Sequence, residues 1–334
     1  MATHDTAGSS PVSRKMRRLG IAVAIFVGLY SAGWFYVASK IETFLGGIVN
    51  QNGPGALNVE CDKLATSGFP FYIGFSCDRT VVGDKNSGNL LSAGALTAAA
   101  RIYNPGSAVV ELAGPVDLTM EDGGSLQANW QQLRASFRAN FSGLSTLSSE
   151  GKVLSMTLRS PLLPDALTLA AADGQMHLRN HSGDLDAAVS AASLSVTDST
   201  KTALLPVIST SVELTMDGKG HMLEGADFGA KAMTGTLTSF KLEGPGGLYG
   251  EMSGPFTVND EGYISGTFTT RLEKLALWET TLRGVFPDAG DTISAVTTLL
   301  QGLAKGKDDV TVKLRVDDGA ISLSFLPLGH IPPL

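Results

Sequence analysis

The chain has 334 residues, of which 39 are glycine and 14 are proline, whereas only 7% are aromatic and 17% are charged. A chain rich in turn residues and poor in large side chains favours many short strands over a helical bundle. The net charge of −7 argues against a nucleic-acid-binding protein, which carries a basic stripe, and against broad adhesion to anionic lipid.

The N-terminal region has the pattern of a membrane anchor. Residues 1–18 form a basic stub whose first 13 residues are predicted to be disordered, and residues 19–39 contain no charge. At about 1.5 Å per residue, a helix of that length covers about 30 Å, which is the thickness of a hydrocarbon core. Trp34 and Tyr36 lie near its end, where aromatic side chains favour the membrane interface. Residues 19–39 are therefore predicted to span a bilayer.

The charges around this span predict its orientation. Only Lys40 and Glu42 follow the span closely, and the positive-inside bias then predicts a cytoplasmic N-terminus. Residues 40–334 would then form a β-rich domain outside the cytoplasm. A cleaved signal peptide is the alternative, but its apolar region is shorter, and Val37-Ala38-Ser39 is a poor cleavage site. The basic residues before the span are Arg14, Lys15, Arg17 and Arg18.

The chain has two cysteines, Cys61 and Cys77. In an oxidising compartment a close pair is most simply a disulfide, which would stabilise the fold by roughly 3 kcal/mol on the entropic model. A redox pair would usually be Cys-x-x-Cys, and zinc would need about four ligands. The sequence therefore predicts a structural disulfide.

Turn signals recur at strand-like intervals along the rest of the chain. Asp-Gly between apolar runs indicates a hairpin, because glycine accepts the positive φ of tight turns. The last one is the clearest: residues 310–316 and 320–326 alternate, and the pattern predicts an antiparallel hairpin with one buried side. The signals are Asp122-Gly123-Gly124, Asp173-Gly174, Asp217-Gly218, Asp260-Glu261-Gly262 and Asp318-Gly319.

Three segments have a possible helical pattern. Residues 271–286 and 291–306 each place leucines and other apolar side chains near one face, which predicts a helical pair before the final hairpin. Residues 125–141 fit both a helical stripe and a strand alternation that includes Leu133, Phe137 and Phe141. The preceding Asp-Gly-Gly turn favours the strand.

Two stretches resemble each other, residues 116–124 and residues 212–220. They suggest two similar halves of the β-rich domain. Reuse of the few residues that suit strands and turns explains the resemblance equally well.

The sequence contains no recognisable catalytic motif. His177 and His181 have the spacing of a helical metal pair but are interpreted as surface residues. Asp184 and Asp186 would share a solvated strand face, and His221 is interpreted as a loop residue. We therefore expect no enzymatic activity, no cofactor and no metal.

The order of features resembles the domain-of-unknown-function 2125 family of bacterial envelope proteins over roughly residues 20–334. The most specific markers are Ser67-Gly68-Phe69-Pro70-Phe71 and a terminal hairpin that ends in Leu326-Pro327-Leu328-Gly329. The resemblance implies a single-pass bacterial inner-membrane protein whose residues 40–334 form a periplasmic β-rich domain, but it implies no reaction. More loosely, the chain is similar to AsmA-like envelope proteins, in which sheets curl into a trough thought to carry lipid.

These patterns predict a mainly β protein whose curved, groove-like antiparallel sheet offers an apolar face to lipid or another amphiphile. Gly68 would permit a turn and Pro70 would begin a strand, so that the aromatic residues that follow alternate onto one face. If the two helices fill that face, the lipid hypothesis fails. The alternative is an assembly factor that binds an envelope protein partner, for example by strand addition. The predicted lipid-facing residues are Phe69, Phe71, Ile73, Phe75, Leu133, Phe137 and Phe141.

Overall fold

The computed structural model describes residues 11–49, 57–84, 88–140, 143–161, 163–224, 232–324 and 326–334. Over these residues one long helix precedes a twenty-stranded antiparallel sheet, and two more α-helices precede the last three strands. The predicted mainly β class, with its N-terminal helix and helical pair, is confirmed.

Helix α1 spans Pro11–Val49. Proline suits the first turn of a helix, because its fixed φ is helical and its missing N–H would have had no partner there. The predicted disorder is therefore wrong for residues 11–13, and residues 1–10 lie outside the described residues. The part from Arg14 to Thr43 is long and apolar enough to cross a membrane, with a hydropathy of 1.8. The helix continues past the predicted end at residue 39, so that its last turns rise beyond Lys40.

The first eleven strands build the N-terminal half of the sheet. Residues 125–141 form strand rather than helix, apart from Phe141, which lies outside the described residues. The strands are β1 (Leu57–Asp62), β2 (Ala65–Ser67), β3 (Tyr72–Cys77), β4 (Arg79–Asp84), β5 (Leu90–Ala93), β6 (Leu96–Arg101), β7 (Asn104–Leu112), β8 (Val116–Thr119), β9 (Ser125–Asn129), β10 (Gln132–Asn140) and β11 (Gly143–Arg159).

The remaining strands follow one another in sequence, each antiparallel to the one before. They are β12 (Leu167–His181), β13 (Asp184–Thr197), β14 (Ile208–Met216), β15 (Met233–Glu243), β16 (Tyr249–Val258), β17 (Ile264–Glu273), β18 (Asp309–Asp317), β19 (Ala320–Leu323) and β20 (Leu326–His330). The predicted C-terminal hairpin is β18–β19, with Val310, Val312 and Val316 buried.

A line of breaks, which we call the crease, crosses the strands from β1 to β13. It runs through Lys63, Asp78, Gly94, Val153 and Ser193, where pairing stops or shifts by one residue. Glycine is required at position 94, because a Cβ there would lie 2.6 Å from the carbonyl oxygen of Ala113. An inserted residue bends a strand and increases its local twist, so the crease divides this half of the sheet into two arms.

The two arms meet at the long strand β11. The tip arm consists of β10, β7, β6, β3 and β2, and β10 pairs with the first part of β11. The far arm consists of β9, β8, β5, β4 and β1, and β9 pairs with the last part of β11. The chain crosses the crease between β1 and β2, β3 and β4, β5 and β6, β7 and β8, and β9 and β10, which interleaves the arms in sequence.

Helices α2 (Leu275–Val285) and α3 (Gly290–Ala304) pack on the C-terminal end of the sheet. The second predicted helix corresponds to α3, but the first begins later than predicted, because residues 271–273 complete strand β17. The indole N–H of Trp278 donates to the carbonyl oxygen of Tyr249, 3.1 Å away, and fixes α2 to strand β16.

One predicted turn is wrong. Asp173 and Gly174 lie inside β12, and the chain reverses instead at Ser182 and Gly183, both of which have positive φ. A Cβ at position 174 would lie 2.5 Å from the side chain of Leu154 on the adjacent strand. The glycine therefore makes room for a neighbouring side chain near the crease rather than closing a hairpin.

Candidate functional site

One face of the sheet carries mostly apolar side chains in continuous cross-strand rows, and we call it the apolar face. The central row follows the pairing register over twelve strands, and a parallel row runs over nine. The central row is Phe75, Ala98, Val110, Ala135, Ser149, Met176, Val189, Val212, Phe240, Met252, Thr270 and Val312. The parallel row is Ile73, Ala100, Ala108, Phe137, Leu147, Leu178, Ala187, Leu214 and Leu237.

The far arm continues this face across the crease. Its row consists of Val59, Val82, Leu91, Leu118, Leu126, Leu158 and Leu167.

The disulfide shows that the two arms share one apolar face. Cys77 follows Phe75 on the same side of β3, and Cys61 follows Val59 on the same side of β1, and the two are bonded with their Cα atoms 5.5 Å apart. The predicted pairing is confirmed, but β1 and β3 are not paired strands: β1 pairs with β4 and β3 pairs with β2 and β6. The disulfide therefore fastens β1, the outermost strand of the far arm, to β3 of the tip arm at the crease.

The predicted lipid-facing residues separate into two groups. Ile73, Phe75 and Phe137 lie in the rows of the apolar face, and Leu133 lies on the same side of β10; all four are half-buried. Phe69 and Phe71 do not lie on this face, because the chain turns at Gly68, whose carbonyl oxygen accepts the N–H groups of Phe71 and Tyr72. Pro70 lies in this turn and not at a strand start.

The turn between β2 and β3 contacts helix α1 instead. The ring of Phe69 stacks on Phe35 with centroids 5.5 Å apart and meets Trp34 edge-on. Trp34 is buried, and its indole N–H donates to the carbonyl oxygen of Tyr72 over 3.1 Å. Trp34 therefore joins the sheet to helix α1, whereas Tyr36 is exposed beside Lys40.

The apolar face is covered at separate places. The 3₁₀ turn Gly220–Glu224, which contains the exposed His221 predicted to lie in a loop, places Met222 and Leu223 on Leu185 and its neighbours. Helices α2 and α3 cover β18 and β19 through Leu275 and Leu300. Between these regions the cover is incomplete, since Val189 in the central row is 48% exposed.

A cavity of about 280 Å³ lies between the two helices and the sheet. Its floor continues the apolar face, because Thr270 and Val312 belong to the central row. The Thr270 hydroxyl is buried and has no hydrogen-bond partner among the described residues. Other lining residues are Leu272, Trp278, Leu282, Phe286, Ile293, Val296, Thr297 and Leu314.

The opposite face of the sheet is polar. On it Asp186 accepts from both Nε and Nη2 of Arg179, at 3.2 and 2.6 Å, and from the hydroxyl of Thr215 at 2.9 Å. The hydrogen bonds from Arg179, with a smaller contribution from Thr215, hold the pKa of Asp186 below its usual value against the opposing effect of burial. The two faces of one sheet therefore differ sharply in polarity.

The histidines and carboxylates considered as chemical candidates lie on this polar side. His177 and His181 are both on strand β12, and the imidazole Nδ1 of His181 is 3.6 Å from Asp186. Asp184 accepts the backbone N–H of Gly218 at 2.7 Å. Over the described ranges no group of three or more His, Cys, Asp or Glu side chains is arranged to hold a metal ion. The geometry is that of a surface network of ion pairs and hydrogen bonds.

Sequence reasoning missed Thr270, Met222 and the contact made by Trp34. Thr270 could have been placed on the apolar face by continuing the alternation backwards from Leu272. Met222 and Trp34 gave no such signal, since their partners are distant in sequence.

Comparison with family models identifies the family of the chain. Residues 34–332 match the family described as uncharacterized protein conserved in bacteria (DUF2125), which is the resemblance seen in the sequence. The protein belongs to this family. No curated protein matches the chain, and the looser similarity to AsmA-like proteins stays a prediction.

Proposed function

We propose that this protein is a non-enzymatic, membrane-anchored protein that binds a lipid or another amphiphile on the apolar face. The observation that carries the proposal is the cavity beneath α2 and α3, whose floor is the end of a twelve-strand apolar row. Neighbouring strands lie about 4.8 Å apart, so the row is about 50 Å long. The chains of one bilayer leaflet reach about half of the 30 Å core, so the row is ample for them.

The hydrophobic effect supplies enough affinity for such a ligand. Each buried methylene contributes up to about 0.8 kcal/mol, so a modest part of one acyl chain balances the cost of ordering it. The helical pair covers one end of the face and leaves the centre partly exposed. The lipid hypothesis requires that the two helices do not fill the whole apolar face, and the partly exposed centre meets this requirement.

The proposed location follows from the charges and the disulfide. The basic residues before the span favour a cytoplasmic N-terminus, and a disulfide is typical of an oxidising compartment. We therefore propose a single-pass inner-membrane protein whose sheet lies in the periplasm.

The test is native mass spectrometry, with lipid extraction, on the full chain purified from membranes in mild detergent. Val296→Trp would place a large side chain in the cavity, whereas Ala295→Trp, the matched control, adds the same side chain on the exposed side of α3. We expect bound lipid on the unchanged protein and on the control, and a loss of that lipid from Val296→Trp. Equal lipid on all three proteins would mean that it surrounds α1, and the proposal would be wrong.

Absence of bound lipid from all three proteins would favour the alternative function. That function is an assembly factor of the cell envelope that acts through protein contacts, and stable copurification of an envelope protein would support it.

A further inference from the structure

The turn between β2 and β3 and the neighbouring turn between β6 and β7 form one aromatic group, which we call the tip. It comprises Gly68–Tyr72 together with Ile102 and Tyr103. Phe71 and Tyr103 are 72% and 74% exposed, and Phe69 is 46% exposed. An exposed apolar group of this kind at the end of a sheet marks an interaction surface.

The contacts with α1 give the level of the tip relative to the membrane span. The Tyr30 hydroxyl donates to the carbonyl oxygen of Pro70, and Trp34 donates to Tyr72. Further along both elements, the hydroxyl of Thr66 lies 3.4 Å from a carboxylate oxygen of Glu42. Strand β2 therefore runs beside α1, and the tip is its end nearer the middle of the span.

The depth follows from the helical rise. Trp34 is six residues before Lys40 and Tyr30 is ten residues before it, so these side chains lie about 9 and 15 Å below Lys40 along an upright helix. Lys40 and Glu42 are the first charges after the span and mark the level of the headgroups. Residues bonded to Trp34 and Tyr30 therefore lie below the headgroups.

Several backbone groups of the tip are paired, which lowers the free-energy cost of placing them in lipid. Unpaired polar groups in hydrocarbon cost several kcal/mol each. The carbonyl oxygen of Gly68 accepts two backbone N–H groups, and the carbonyl oxygen of Phe71 accepts the N–H of Ile102 at 3.2 Å. Pro70 has no N–H group that would need a partner. The carbonyl oxygens of Pro70 and Tyr72 accept hydrogen bonds from Tyr30 and Trp34 of α1.

We infer that the tip is embedded in the bilayer leaflet that faces the sheet, as a second membrane element beside α1. Phe69 and Phe71 then contact acyl chains, and the phenol of Tyr103 reaches the headgroups. This position brings the end of the apolar face, at Ile73 and Phe75, next to the lipid from which a ligand would come. The inference rests on the proposed span by α1, and it does not require that the apolar face binds lipid.

The test measures the collision rates of a spin label on the full chain in vesicles of phosphatidylethanolamine and phosphatidylglycerol. Single cysteines are introduced and labelled while the native disulfide stays oxidised. Molecular oxygen concentrates in hydrocarbon, and a neutral nickel chelate stays in water. Phe71→Cys reports on the tip, and Tyr103→Cys gives a second, independent variant should the first fail to fold.

Two control positions are matched to each other in exposure, and both are exposed hydrophobic residues like Phe71. Val27→Cys lies in the middle of the span, and Val207→Cys lies in the loop before β14, at the opposite end of the strands; these valines are 52% and 54% exposed. We expect the oxygen-to-nickel collision ratio at 71 to be several-fold higher than at 207 and close to the ratio at 27, with an intermediate value at 103.

The outcomes separate the inference from the proposed function. If position 27 is protected from nickel while 71 and 103 are as accessible as 207, α1 spans the membrane but the tip lies in water, and the inference is wrong. If position 27 is itself accessible to nickel, the proposed anchor is wrong and the inference falls with it. Neither result bears on lipid binding beneath α2 and α3, which the mass measurement tests.

Discussion

The two regions of the apolar face that differ most are its C-terminal end, beneath α2 and α3, and its centre around β13. Both are built from alternating strands in the same antiparallel register. At the C-terminal end Leu275 is 2% exposed and packs against Leu300 and Val310. At the centre Val189 is 48% exposed, whereas Val312, which lies in the same central row at the C-terminal end, is 9% exposed.

The difference teaches that alternation specifies which side of a strand is apolar but not what covers that side. At the C-terminal end the cover comes from a helical pair that the chain inserts between β17 and β18. A long apolar face that is partly exposed stabilises the fold less than a covered one, because apolar surface that stays in contact with water contributes little to the free energy of folding. Four groups of substitutions follow, in order of decreasing expected effect on the free energy of unfolding. They compare the covered end with the centre, and then the crease, the cavity and the polar face.

The largest expected effect is at the covered end. Leu275→Ala removes a fully packed side chain and should lower the free energy of unfolding by about 3 to 4 kcal/mol. At the centre Val189→Ala should lower the free energy of unfolding by about 0.5 kcal/mol, because the side chain of Val189 is half exposed. Denaturant unfolding of the full chain in mild detergent, followed by tryptophan fluorescence, measures both. Similar losses at the two positions would mean that the centre is as well packed as the end.

The next effect concerns the arms, which the disulfide holds at the crease. Replacing Cys61 and Cys77 together by alanine should lower the free energy of unfolding by roughly 3 kcal/mol, because the unfolded chain gains loop freedom. The same unfolding experiment, with and without reductant, checks this. Reductant should destabilise the unchanged protein and leave the double variant unaffected; equal sensitivity of both would contradict a structural role for the bond.

A smaller effect is expected in the cavity. Thr270→Val removes a buried hydroxyl that has no partner among the described residues and keeps the shape of the side chain. It should raise the free energy of unfolding by about 1 kcal/mol. Thr267→Val, on the exposed side of the same strand, is the control and should be nearly neutral. If Thr270→Val instead destabilises lipid-bearing protein, the hydroxyl bonds the ligand.

The smallest effect lies on the polar face. The pKa of Asp186 is lowered in the folded protein. Its contribution to the free energy of unfolding is therefore fully present above the pKa of the unfolded chain, about 4, and is lost as the pH falls below that value. Asp186→Asn should reduce the free energy of unfolding by about 1 kcal/mol or less at neutral pH and flatten its acid dependence. Adding Arg179→Ala to this variant should change little more; a large further loss would show that Arg179 stabilises the sheet through other contacts.

Much of the fold follows from local patterns. The alternation of Val310, Val312 and Val316 predicted the buried side of the last hairpin. The two leucine-rich stripes predicted helices α2 and α3. Residues 125–129 and 132–140 were correctly assigned to strand, because a turn precedes them and the alternation of residues 133–140 is strict. Phe75 and Phe137 were placed on the face that carries the apolar rows.

The errors share one physical cause, which is the influence of contacts distant in sequence. Gly174 has the local signature of a turn, yet it is a strand residue that makes room for Leu154. Phe69 and Phe71 continue the alternation of β3, yet the turn at Gly68 and the contact with Trp34 move them to the tip. Thr270 was not recognised, because nothing local distinguishes a threonine over a cavity from a solvated one.

The sequence by itself determined the long apolar N-terminal helix, the strand-rich class, the apolar side of the clearest strands and the cysteine pairing. Most of these follow from a period of two residues or a run of uncharged residues, which are local properties. Only the tertiary structure decided which strands meet at the crease, where the apolar face is covered and where its aromatic end lies relative to α1. Those features depend on which distant segments pack together, and the energy of packing is shared by both partners, so neither sequence segment carries it alone.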